Sequence, residues 1–285
     1  MAILPLLAGI ALKVLFTPDT GGLNIAGALV FFEVDMPFGT TLPITESQVN
    51  SWLVILAILG LCLYLTHGLT AKCELTRQHL AEWIVEKTDG LVQENMGDFF
   101  KGFSPFIAAV MGLSACSSLL TLIGLYPPTS DMNVVGGWAL LVFFLITYYK
   151  MKCGPIHYLK SFADPALLTP MNVISEFATP VSMAFRHYGN VMSGAVISVL
   201  VAYALQGLSS MIFGWLPGFL GKIPFLQIGI PAIMSVYFDL FSGGLQAFIF
   251  ATLTMLYVAG AFPEEDYFAK KAKRLAQKKA KQEAK

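Results

Sequence analysis

Five long apolar blocks alternate with short polar stretches along the chain: roughly Ser51 to His67, Phe103 to Tyr126, Val134 to Tyr149, Phe177 to Gln206 and Phe225 to Phe262. About 20 apolar residues in a helix cross the ~30 Å hydrocarbon core of a bilayer, so each block predicts a membrane-spanning helix. The first and third are slightly short and must borrow polar flanking residues. As a helix the fourth would be about 45 Å long, at ~1.5 Å per residue, and the fifth about as long counted from Pro231. Helices of that length do not stand upright in a bilayer; they tilt or bend. The predicted architecture is an all-α polytopic membrane protein with about five spans, the last two long and steeply tilted.

Three segments depart from this pattern. Between Glu74 and Asp98, the residues Leu80, Trp83, Ile84, Lys87 and Leu91 recur at helical spacing among acids and bases. That is an amphipathic helix, lying at the cytoplasmic membrane face or against a partner. The apolar stretch Met1 to Phe16 lacks the basic flank of a signal peptide, its only basic residue being Lys13, and predicts a segment packed at the membrane face. Pro18, Gly21 and Gly22 break it before a second apolar stretch, Leu23 to Val34. From Glu264 onward the chain is a charged helix former rich in Ala, Lys and Gln, predicting a solvated extension or a contact with anionic lipid. The expected division is an external N-terminal segment over 1–48, a membrane domain over 49–263 and a basic tail over 264–285.

Composition agrees and adds exclusions. The 285 residues are 56% hydrophobic and 13% charged, with mean hydropathy +0.68, against about 25% charged in a soluble domain. Eighteen basic and 18 acidic residues give zero net charge, which argues against a globally basic nucleic-acid binder. The four cysteines show no CxxC and no metal-ligand spacing, and no disulfide framework is expected. Their distribution makes the charges informative. If the first span runs inward, 15 of the 18 basic residues fall on one side, leaving Lys13 and Lys222 opposite and Arg186 within a span. The positive-inside rule then predicts the N-terminus outside and the C-terminus in the cytoplasm.

Between Pro165 and Pro263 the charged residues are Glu176, Arg186, Lys222 and Asp239. Lys222 falls in a Gly- and Pro-containing turn, and Glu176 lies near the start of its span. Arg186 and Asp239 lie well inside theirs, where a charge costs several kcal/mol and marks a hydrated path or a charged partner. An internal Arg186–Asp239 ion pair that only fixes packing is the alternative. Arg186, Asn190, Ser193 and Ile197 follow a 4, 3, 4 spacing and share one helix face; Asp239, Gly243 and Gln246 share another. Two helices with polar faces at membrane depth make a hydrated seam, with Gly243 and Gly244 permitting close helix approach. No HExxH, GxSG or phosphate-cradling loop is present. Ser182 and His187 lie about 140° apart around a helix and do not make a nucleophile–base pair. His187, turned away from Arg186, suits packing better than a proton relay.

The run PVSMAFRHYGNVMSG, Pro180 to Gly194, resembles the signature of subunit a of F-type ATP synthases, commonly PxSLxxRLFGNxxxG. LQAFIFATLTMLY, Leu245 to Tyr257, is similar to that family's last-helix motif, and Pro165 to Phe177 and the PTSDMN run match as well. The resemblance covers about residues 50 to 262. It implies ion translocation, with protons as the expected ion, between two half-channels at the interface with a rotating c-ring, coupled to ATP synthesis. Position by position, it makes Arg186 the essential arginine and Asn190 and Gln246 the polar residues flanking the path. Glu176 matches an acid near the cytoplasmic opening, and Asn172 a position acidic in some relatives. Ala195 stands where many relatives carry an acid, and Asp239 is expected to supply that function. Ser193 completes the ion-path set. The implied partners are the c-ring, peripheral-stalk b subunits and membrane lipid, with no nucleic acid, cofactor or metal and no catalytic site on this chain. The implied location is the bacterial plasma membrane. An ion-coupled secondary transporter is the competing reading, but such proteins are usually built from internal repeats, and the Arg- and Gln-bearing helices share no motif.

Overall fold

The computed structural model describes residues 3–16, 27–37, 39, 41–69, 76–155, 158, 168–214, 226 and 229–283. Five helical segments are long and apolar enough to cross a membrane, spanning Glu46–Thr66, Asp98–Ile123, Met132–Lys150, Thr169–Phe213 and Ile233–Ala261. Helix α1 covers Ile3–Phe16, α2 Glu46–Thr66, α3 Thr76–Met96, α4 Ser104–Leu119 and α5 Met132–Lys150. Helix α6 covers Thr169–Phe213, α7 Ile230–Ser235, α8 Gly243–Ala261 and α9 Glu264–Glu283. A 3₁₀ stretch, Asp98–Phe103, leads into α4, and a π-helical segment, Val236–Ser242, joins α7 to α8.

The spans alternate in direction. Asn50 near the start of α2 donates to the Tyr126 carbonyl after α4 at 2.8 Å, and Asp131 caps α5 by accepting from Asn133 N at 2.9 Å. At the opposite end, Phe99 stacks on Phe262 beyond α8 with ring centroids 4.3 Å apart. The bundle thus has a Glu46 end and a Lys150 end. Helix α8 is its axis: Phe250, Ala251, Met255 and Val258 are buried among Ile107, Val142, Ile146 and Met183. Gly243 makes this approach possible, because a Cβ there would lie 2.4 Å from Cβ of Ser118 on α4. Gly244 has open space around it, so only the first of the two glycines serves the expected close contact.

Helix α6 is longer than its hydropathy predicts. Its 45 residues correspond to about 68 Å, more than twice the ~30 Å core. The polar start, Thr169 to Glu176, winds as helix because Thr-Pro opens it and Pro is tolerated in a first turn. Only 6% of its most apolar window is buried, against 39% for the last span, so α6 lies at the margin of the bundle.

The N-terminal third departs most from expectation. Residues 17–26, which hold the predicted Pro18–Gly22 break, lie outside the described residues. The described part of the stretch Leu23 to Val34 enters a strand. Strand β1, Val30–Asp35, pairs antiparallel with β2, Thr41–Thr45. Aromatic and β-branched residues favour this hairpin, and Glu46 N ties it to α2 by donating to the Leu29 carbonyl at 2.7 Å. Helix α1, predicted to pack at the membrane face, lies against α2. It runs antiparallel along α2: Lys13 meets Glu46 at the start of α2, whereas Ile3 shares a cavity with Leu61, Tyr64 and His67 at its end. Residue 3 therefore sits towards the Lys150 end. Uniform apolarity explains the difference, since α1 can bury its surface along a neighbouring helix as readily as at an interface.

Helix α3 forms as predicted, but it packs through Val92 and Met96, with Gln78 also buried. Leu80, Trp83 and Ile84 remain exposed, leaving the predicted apolar face available to lipid or a partner.

Candidate functional site

Helix α6 positions the one arginine of the spans. Met183, Ala184 and His187 form its buried face, so the next residue round, Arg186, is exposed. Among the described residues no ion pair joins Arg186 to an acid. The considered Arg186–Asp239 bridge is not formed; Asp239 instead accepts a short hydrogen bond from Ser235. His187 is 1% exposed, lies 3.3 Å from Ser114 Oγ and meets Trp138 and Phe250 edge-on at 5.9 and 5.3 Å. Its environment is that of a packed core side chain.

One turn beyond Arg186, Asn190 joins α6 to the last span. Its Nδ2 donates to Ser242 Oγ at 3.0 Å and reaches Gln246 Oε1 at 3.5 Å. Gln246 is buried at 4% exposure. Ser193 Oγ donates to the Asn190 carbonyl at 3.1 Å and is exposed. Asn190, Ser193 and Gln246 thus come together next to Arg186. Ser242 belongs to the same cluster and was missed, because a lone serine in an apolar block carries no sequence signal.

Asp239 does not share a continuous α-helical face with Gly243 and Gln246. It lies within the π-helical segment, whose i→i+5 winding shifts the angular register. Gly243 and Gln246 turn inward, whereas half-buried Asp239 opens into a cavity of about 250 Å³ with Lys13, Tyr126, Ser130 and Ala195. The acid of this chain and the alanine expected to replace a family acid therefore line one space.

A second, more polar cavity, about 230 Å³, lies at the Lys150 end, with Lys150, Ser175, Glu176, Thr179 and Tyr257 in its lining. Glu176 forms a close ion pair with Lys150 and accepts from Tyr158 Oη at 3.4 Å. Burial first, then the charge of Glu176, push the Tyr158 hydroxyl up, so it remains a donor. Asn172 lies one turn before Glu176, outside the residues lining this cavity. Arg186 is about 15 Å along α6 from Glu176 and ~13 Å from Ala195, between the two cavities.

A polar network at the Glu46 end escaped sequence reading. Glu46, 2% exposed, pairs with Lys13 at 3.1 Å and accepts from Tyr126 N at 3.2 Å. Ser47 donates to Asp131 in a short hydrogen bond. Its partners come from three separated segments, and only Asp131, an Asp immediately before a helix, carries a local signal.

These features define a polytopic helical membrane protein with a polar seam at membrane depth. The family model described as ATP synthase A chain matches residues 48–259, and the chain belongs to that family. It is 30% identical over 225 residues to ATP synthase subunit a of Trichlorobacter lovleyi, covering 77% of this chain and 88% of the relative. It is 32% identical over 223 residues to ATP synthase subunit a 2 of Acaryochloris marina, covering 76% and 86%. Subunit a of Geotalea daltonii is 30% identical over 234 residues, covering 80% and 92%.

Proposed function

We propose that this chain is the ion-translocating membrane subunit of an F-type ATP synthase, carrying protons through two half-channels at the interface with a rotating c-ring. The observation that carries this reading is the position of Arg186, an exposed cation on the marginal helix α6, between a largely apolar cavity into which Asp239 opens and a more polar one at Glu176. An ion entering through the Asp239 cavity neutralises a ring carboxylate, travels with the ring and leaves beside Glu176. Asn190, Ser193 and Gln246 give the seam polar groups beside Arg186. A fixed cation favours the ionised form of a ring carboxylate only while it passes, and Arg stays charged at every relevant pH. One charge crossing 100 mV releases about 2.3 kcal/mol, so several transfers are needed for each ATP. This chain moves charge and makes no bond; synthesis belongs to other subunits.

In this reading residues 49–263 form the membrane domain. Its Lys150 end faces the cytoplasm of a bacterial cell, because the connections and tail at that end hold most of the basic residues. The exposed apolar side chains of α6, among them Phe177, Val181 and Phe185, suit a ring of apolar helices. The exposed face of α3 suits a peripheral-stalk b subunit or lipid. The decisive experiment replaces Arg186 with Ala, purifies the assembled complex and measures ATP-driven acidification of vesicles. Assembly without pumping is expected; normal pumping refutes the role of Arg186. Uptake that follows sodium and resists protonophore would replace the proton by sodium.

A further inference from the structure

The family match begins at residue 48, yet one wall of the Asp239 cavity is built by a residue well before it. Lys13 on α1 lines that cavity together with Tyr126, Ser130, Ala195 and Asp239. It is held there by two observations independent of the cavity. Lys13 Nζ lies 3.1 Å from Glu46 Oε1, with side-chain exposures of 32% and 3%, and Glu46 is fixed in turn by Tyr126 N at 3.2 Å. Helix α1 is seated closely enough to aim the side chain, because a Cβ on Gly9 would come within 2.8 Å of Leu53 on α2. The lysine is the more hydrated partner of the pair, and its ammonium is the cation that borders the space leading to Asp239.

We infer that Lys13 is a specificity-determining charge of the ion path: with Glu46 it sets the electrostatic potential beside the Asp239 cavity and so keeps that space from concentrating metal cations. This rests on reading that cavity as one half of the path. Without its lysine, the buried Glu46 carboxylate behind the cavity wall would attract hydrated metal cations into the space. The neighbouring ammonium cancels that attraction, leaving Asp239 to exchange protons through water. Helix α1 is then part of the translocation machinery and not merely an anchor.

The test reads potential and not transport. In assembled complex in membranes, with Cys62, Cys73, Cys116 and Cys153 replaced by Ser, Ala195→Cys is labelled from the outer face. Cationic and anionic methanethiosulfonate reagents of similar size are compared. Lys13→Gln should speed the cationic reagent and slow the anionic one by up to roughly fivefold each, the effect of one unit charge across ~4 Å of water, and so raise the cationic-to-anionic rate ratio. Lys13→Arg should leave it unchanged. Because Lys13→Gln strands a buried carboxylate, the double variant Lys13→Gln/Glu46→Gln is measured as well. Removing both charges should return the ratio towards its original value. An unchanged ratio in Lys13→Gln overturns the inference. So does a shift of equal size in the double variant, which would mark loosening of α1. Asp239→Asn, assayed for ATP-driven pumping, tests the underlying path separately: normal pumping defeats that reading whatever Lys13 does to the labelling ratio.

Discussion

Asn190 on α6 donates a hydrogen bond to Ser242 Oγ, 3.0 Å away and 52 residues further along the chain. The bond closes the seam between the arginine-bearing helix and the last span at the point where π-helical winding returns to α. Gln246 lies 3.5 Å from the same amide, so one side chain satisfies two groups that the apolar surroundings would otherwise leave unpaired. Replacing Asn190 with Leu should cost about 1–3 kcal/mol, the usual penalty for stranding a buried polar group. The purified complex should melt at lower temperature and pump more slowly. Asn190→Gln, which keeps the amide, should recover part of both.

The ion pair of Lys150 and Glu176 pins the start of α6 to the end of α5. Lys150 is 30% exposed, so the pair is discounted for solvent, and Glu176→Gln should cost about 1–2 kcal/mol. The exchanged pair, Lys150→Glu with Glu176→Lys, should restore thermal stability if attraction is what matters. Pumping should remain impaired in the exchanged variant, because the acid of that cavity then lies on α5 and no longer on α6, the helix that carries Arg186. Thermal melting and vesicle acidification on the same preparations separate these effects.

Gly243 lets the last span approach Ser118 on α4 closely. Gly243→Ala places a methyl group 2.4 Å from Ser118 Cβ and should destabilise the bundle by ~1–3 kcal/mol through overpacking. Gly243→Ala with Ser118→Gly should recover most of that loss. A double variant no more stable than the single one would show that the helices do not meet at this point.

Lys152 anchors the final turn of the bundle. Its ammonium lies 4.7 to 5.8 Å from the ring centres of Tyr149, Phe99, Tyr148 and Phe262, drawn from three separate segments. Lys152→Gln should lose about 0.5–2 kcal/mol of cation–π attraction. It should also speed chymotrypsin cleavage near Phe262 and Tyr267 in membranes, whereas Lys152→Arg should resist cleavage like the parent chain.

How far the chain declares itself depends on the range of the signal. The cost of placing apolar side chains in water, or a charge in lipid, is a property of each segment taken alone. Hence the sequence determined the five spans, the amphipathic helix α3 and the isolation of Arg186. Helical periodicity put Asn190 and Ser193 on its face, and the last-helix motif singled out Gln246. Tertiary structure decided which helices meet, and there local rules failed for identifiable reasons. Ideal α-helical spacing does not survive the π-helical segment, so Asp239 leaves the face of Gln246 and opens beside Ala195 and Lys13. The pairs Lys150–Glu176 and Lys13–Glu46 join residues far apart in sequence, and hydropathy carries no information on partner choice. An apolar N-terminal segment satisfies the hydrophobic effect equally well at an interface or along α2. Only the seating of Gly9 against Leu53, and the burial of Glu46 that calls for a nearby cation, select the second arrangement.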